Sequence, residues 1–116
     1  MTSRPLVTVI ETPEFQRRAK AVMTEAERMA LVGFVAANPE AGVPLGADIR
    51  KVRFARHGAG KSGGYRIVHY YCAGKDLPVF LLLVFAKNVQ DNLTPAQLDR
   101  LKILGEALAA RYGRRE

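Results

Sequence analysis

Cysteine and tryptophan are nearly missing from this chain: Cys72 is the one cysteine, and there is no tryptophan. A single cysteine excludes an internal disulfide framework and suits a reducing cytoplasm. Histidine is scarce too, with only His57 and His69. No HExxH pattern and no paired Cys/His spacing occurs, so neither a metal nor a cofactor is expected. Long hydrophobic runs are absent. The longest, Pro78 to Ala86, is too short to span a bilayer. Glu11 and Glu14 interrupt the N-terminal region before a signal-peptide core could form. A cytoplasmic protein with no membrane partner is expected. Repeats and low-complexity segments are lacking, and 116 residues hold one modest core. A single domain over residues 1–116 follows.

Negative charge is missing most unevenly. No acidic residue occurs between Asp48 and Asp76, where Arg50, Lys51, Arg53, Arg56, Lys61 and Arg66 crowd together. The chain carries 18 basic and 11 acidic residues, a net charge of +7. Residues 50–87 hold eight basic residues and one acidic, while residues 1–49 hold five and six. An excess concentrated in one segment points to a polyanionic partner. The plainer alternative is a basic surface that serves only solubility.

The local signals alternate clearly. Leu6 to Ile10 reads as a first strand. Thr12-Pro13 starts a short helix to about Val22, with Thr as N-cap and Pro at the first helical position. Thr24 and Glu27 form a capping box for a second helix carrying Met29, Val32, Phe34, Val35 and Ala36, which stops near Asn38-Pro39. Gly42, Pro44 and Gly46 read as a connection. Ile49 to Ala55 and Tyr65 to Cys72 read as strands around the loop HGAGKSGG. By the two-residue period, Lys51 and Arg53 share one face of the first strand, opposite Val52 and Phe54. Arg66, Val68, Tyr70 and Cys72 share a face of the second, opposite Tyr65, Ile67, His69 and Tyr71. Gly74-Lys75-Asp76 turns the chain. Val79 to Ala86 is apolar on both faces, as a central strand would be. Thr94 and Gln97 cap a last helix with a stripe of Leu98, Leu101, Leu104, Leu108 and Tyr112. The order β-α-α-β-β-β-α predicts an α+β domain: a mainly antiparallel sheet, two N-terminal helices packed on one face, and a C-terminal helix.

Ala55 to Ser62 imitates a phosphate-binding loop, with Ala in place of its first glycine. A true one leads into a helix, whereas this leads into the strand Tyr65-Arg66-Ile67-Val68, so nucleotide binding is not expected. The glycines suit a hairpin loop that needs positive φ, with Arg56 and Lys61 presented beside them. His57 suits proton transfer near neutral pH, or is simply a solvated loop residue. His69 shares a face with Ile67 and Tyr71 and reads as a core or edge histidine.

The run from Val52 to Leu98 resembles the RelE/ParE superfamily of bacterial toxins, and within it the HigB-type branch. KSGGYRIVHYY, the strand ending LLLVFAKN, and DNLTPAQ opening the last helix carry the resemblance. It implies the toxin of a type II toxin–antitoxin pair. RelE-like members cut mRNA in the ribosome without a metal: the substrate's 2′-OH attacks the adjacent phosphate while side chains move protons and stabilise charge. The resemblance assigns phosphate stabilisation to Arg66 and the role of base or clamp to Arg53, with Lys51 as its basic neighbour. Lys87 and Asn88 match a Lys-Arg pair after the last strand, and Thr94 stands where some members have tyrosine. The general acid is therefore open among Lys61, His57 and Tyr70. Catalysis is expected of Arg53, Lys61, Arg66 and Lys87, and RNA binding of Lys51, Arg56, His57, Tyr70 and Asn88. Expected partners are the ribosome, mRNA and a cognate helix-turn-helix antitoxin of HigA type, with DNA reached only through the antitoxin complex. A gyrase inhibitor of ParE type, or a nucleic-acid-binding module without chemistry, is the alternative.

Overall fold

Eight elements make up the fold in a computed structural model, which describes residues 5–55, 64–87, 90 and 92–113. They are β1 (Val9–Glu11), α1 (Pro13–Val22), α2 (Glu25–Ala37), β2 (Val43–Gly46), β3 (Ile49–Phe54), β4 (Tyr65–Tyr70), β5 (Val79–Ala86) and α3 (Pro95–Gly113). The sheet order is β1-β5-β4-β3-β2. β1 runs parallel to β5, and the other neighbours are antiparallel. The expected α+β class and mainly antiparallel sheet are observed. No described helix is long and apolar enough to cross a membrane.

The helix starts form through their own side chains. The Thr12 hydroxyl accepts from Phe15 N–H, and the Thr24–Glu27 box closes in both directions, at 3.1 and 2.8 Å. Tyr65 fixes this junction to the sheet, its hydroxyl 2.7 Å from Val22 O and 2.9 Å from Glu27 Oε1. Leu31 and Val35 are the buried apolar residues of α2, whereas Met29 and Phe34 of the expected apolar set are exposed.

The helices cover both faces of the sheet. Phe15, Ala19, Leu31 and Val35 pack on Val52, Tyr65, Ile67, Val79, Leu81 and Val84. On the opposite face Leu101, with Leu98, Leu108 and Tyr112, packs on Ile49, Val68, Tyr70, Phe80, Leu82 and Phe85. Leu104 of the expected stripe is largely out of this packing. Two covered faces explain why every residue of β4 and β5 is buried. The register of β4 on β5 shifts between Val68 and His69: Val68 pairs with Leu83 and His69 with Leu81. Leu82 is the extra residue, so Leu82 and Leu83 point into the same core.

The segment read as a connection is partly a strand. β2 pairs antiparallel with β3 at the sheet edge, where Pro44 needs no ladder donor on its outer side. Ala47 and Asp48 join β2 to β3 with φ of 52° and 66°. Two consecutive left-handed residues match the twist of a two-residue hairpin, although neither is glycine or asparagine.

Candidate nucleic-acid interface

The β3–β4 ladder decides which basic side chains meet. Ile49 pairs with Tyr70, Lys51 with Val68, and Arg53 with Arg66. Arg66 pairs in turn with Phe85. Paired residues project to the same side of a sheet, so Lys51, Arg53 and Arg66 share the α3 side. Arg50 is one step out of phase and belongs to the other face, where its guanidinium donates to Tyr71 O at 3.1 Å.

Helix α3 divides that face in two. It begins beside Lys51, reaches Tyr70 at Gly105, and reaches Phe80 at Tyr112, whose rings lie 5.3 Å apart edge to face. Arg53 and Arg66 therefore lie beyond its first turn, at the end of the sheet away from Tyr70. Arg53 is exposed. Arg66 is only 5% exposed, which makes it a preorganised cation rather than a flexible one. Its guanidinium passes Gly64, 3.9 Å from where a β-carbon would stand. Lys87 follows β5 at the same end, exposed, with its backbone N–H donating to Gly64 O at 3.1 Å. Lys51 is half-buried, and its ammonium donates to Asn92 Oδ1 at 2.6 Å.

Four expected residues thus gather: Lys51, Arg53, Arg66 and Lys87. Arg56, His57, Lys61 and Asn88 lie outside the described residues. Tyr70 is corrected. It lies four residues along β4 from Arg66, roughly 13 Å at the usual rise, and is 4% exposed beneath α3. A β-carbon on Gly105 would overlap its ring. Cys72 Sγ lies 3.3 Å from the Tyr70 hydroxyl. Burial pushes the Tyr70 phenol above its ordinary value, and the nearby Cys72 adds to this. A phenol so placed packs beneath α3, away from Arg53 and Arg66.

His69 is a core residue facing the α1–α2 side. It is fully buried, and its Nε2–H donates to Ala41 O at 3.1 Å. Burial lowers its basicity, the Ala41 carbonyl opposes this, and the charge of Arg50 adds to it. Its Nδ1 has no hydrogen-bond partner among the described residues. Thr94 serves as a cap: its hydroxyl accepts from Gln97 N–H at 3.1 Å, and Gln97 Oε1 accepts from Thr94 N–H at 2.9 Å. The loop resembling a phosphate-binding motif leads into β4, a strand, as its sequence indicates.

Asn92 and Gln90 were not among the expected site residues. Gln90 Nε2 donates to Asn92 O at 2.7 Å and to Gln97 Oε1 at 2.8 Å. The polar run Gln-Asp-Asn before a capping box is the one sequence signal that marks them.

Opposed cations on rigid strands can hold a phosphate from two sides and stabilise charge that develops on it. The sheet order, the basic end and the last helix all fall within one family comparison: the model for the RelE toxin of the RelE/RelB toxin–antitoxin system matches residues 7–114. The chain belongs to that family, and is the toxin of a toxin–antitoxin system with an antitoxin as its partner.

Proposed function

We propose that this toxin is a ribosome-dependent endoribonuclease of the HigB-type branch. The observation that carries the reading is the pairing of Arg53 with Arg66 on the α3 side of the sheet, with Lys51 and Lys87 beside them. Two guanidinium side chains on one face of neighbouring strands suit an anion held between them. RNA supplies one in the scissile phosphate. The 2′-OH attacks that phosphate, Arg53 acts as base or clamp, and Arg66 stabilises the crowded oxyanion. With Tyr70 in the core, protonation of the departing 5′-oxygen falls to Lys61 or His57, with Lys87 as a further cation. Arg56 and Asn88 complete the RNA contacts.

This chemistry leaves a 2′,3′-cyclic phosphate and a 5′-hydroxyl. Purified toxin with programmed ribosomes should yield those ends, and a 2′-deoxy substitution at the cut site should block the reaction. Cleavage of the deoxy substrate at the ordinary rate would rule the mechanism out.

The antitoxin is read as a HigA-like helix-turn-helix protein, so that DNA is reached only through the complex. It docks on the α1–α2 side and excludes the toxin from the ribosome by bulk. Met29 and Phe34, exposed on α2, favour that side. Charge reversal at Arg53 and Lys61 should leave antitoxin affinity within about 1.4 kcal/mol, a tenfold range. A larger loss would mean direct occlusion of the basic end.

A further inference from the structure

We infer that Asn92 is a positioning residue for Lys51, fixing its ammonium on the face of β3 that also carries Arg53. The inference rests on the nuclease reading and adds to it a residue of different chemistry. Lysine has a flexible stem and a point charge, and left alone it occupies many rotamers. Here its Nζ is 2.6 Å from Asn92 Oδ1. Asn92 is itself held. Its carbonyl accepts from Gln90 Nε2 at 2.7 Å, and the same Gln90 amide reaches Gln97 Oε1 at 2.8 Å. Gln97 closes the capping box with Thr94. These bonds tie the Asn92 backbone to the start of α3, and from there its side chain reaches the Lys51 ammonium.

The choice of an amide is informative. A carboxylate at position 92 would also accept from Lys51, but it would cancel the charge that the basic end presents to phosphate. An amide oxygen orients the ammonium without adding a negative charge of its own. Lys51 stands two residues from Arg53 on the same face of β3, so a fixed Lys51 adds a third cation at a set distance from the Arg53–Arg66 pair. Electrostatic stabilisation of a transition state depends on such fixed placement, because a mobile charge must first be reorganised.

A double-mutant cycle on the full chain tests this in a ribosome-programmed cleavage assay. Asn92→Ala should lower kcat on the order of 10- to 100-fold with little change in KM. It should have no further effect in a Lys51→Ala background. Asn92→Asp should keep the tie but flatten the salt dependence of ribosome binding, since it removes net charge. Additive losses from Asn92→Ala and Lys51→Ala, or an Asn92→Ala variant with unchanged kcat, would overturn the inference. Side-chain ammonium NMR reads the tie apart from activity. The Lys51 signal should be protected from exchange in the parent and exchange faster in Asn92→Ala. Equal exchange in both would also overturn it. A parent that shows the protected signal but cuts no translated message would instead refute the nuclease reading.

Discussion

Arg53 and Arg66 stand directly opposite each other across the β3–β4 ladder, two guanidinium side chains on one face of one sheet. Arg53 is exposed, so a change there should shift stability by no more than about 0.5 kcal/mol. Arg53→Thr should therefore fold as the parent does, while cleavage falls by about 100-fold. An Arg53→Thr variant that cleaves at the parent's rate would remove Arg53 from the site.

The Tyr70–Gly105 contact separates packing from chemistry. Gly105→Ala would drive a β-carbon into the Tyr70 ring and should cost about 1–3 kcal/mol. Tyr70→Phe removes only the hydroxyl beside Cys72 and should cost about 1 kcal/mol with cleavage retained. Loss of cleavage in a folded Tyr70→Phe variant would return Tyr70 to the site.

His69 sets an acid limit on stability. Burial lowers its folded-state pKa below the ordinary 6.5. Below that value the unfolded chain takes up a proton that the folded one resists, so stability is full above about pH 6.5 and declines as pH falls from there toward the lowered value. The slope from one such group is at most about 1.4 kcal/mol per pH unit. Glu14, whose carboxyl is held down by hydrogen bonds from Arg17 and Arg18, acts in a separate window below its ordinary 4.5. His69→Gln keeps an N–H donor for Ala41 O. Urea midpoints between about pH 5 and 7 should depend less on pH in that variant. An unchanged pH profile would clear His69 of the effect.

The hairpin between β2 and β3 carries a strained alanine. Ala47 has a φ of 52°, a conformation its β-carbon disfavours. Ala47→Gly should stabilise by about 0.5–1 kcal/mol, read as a shift in thermal midpoint. A destabilised Ala47→Gly variant would mean that entropy lost from the glycine outweighs the relieved strain.

What was legible in the chain was local. Thr12-Pro13, Thr24 with Glu27, and Thr94 with Gln97 each satisfy backbone donors within a few residues, so sequence alone places all three helix starts. The shared face of Lys51 and Arg53 follows from the strand period, as does that of Arg66 with Val68. β2 was hidden because Pro44 and two glycines suit a loop as well as an edge strand. The bulge at Leu82 was hidden because every residue of β5 is apolar, leaving no alternation to break. Tyr70 has a residue type that suits chemistry, and only the approach of α3 at Gly105 reveals it as core. Asn92 was invisible for a similar reason: its partner Lys51 lies 41 positions away.

The central claim is that this toxin cuts messages while they are being translated. Mapping RNA 5′-ends genome-wide after brief induction in a bacterium tests it most directly. Arg66→Met serves as the control, because it fills the buried space that alanine would leave empty. The expected result is cuts phased to codons within translated regions, absent from untranslated RNA and absent in the control. Equal cutting of untranslated RNA, or growth arrest with DNA breaks and intact messages, would contradict it.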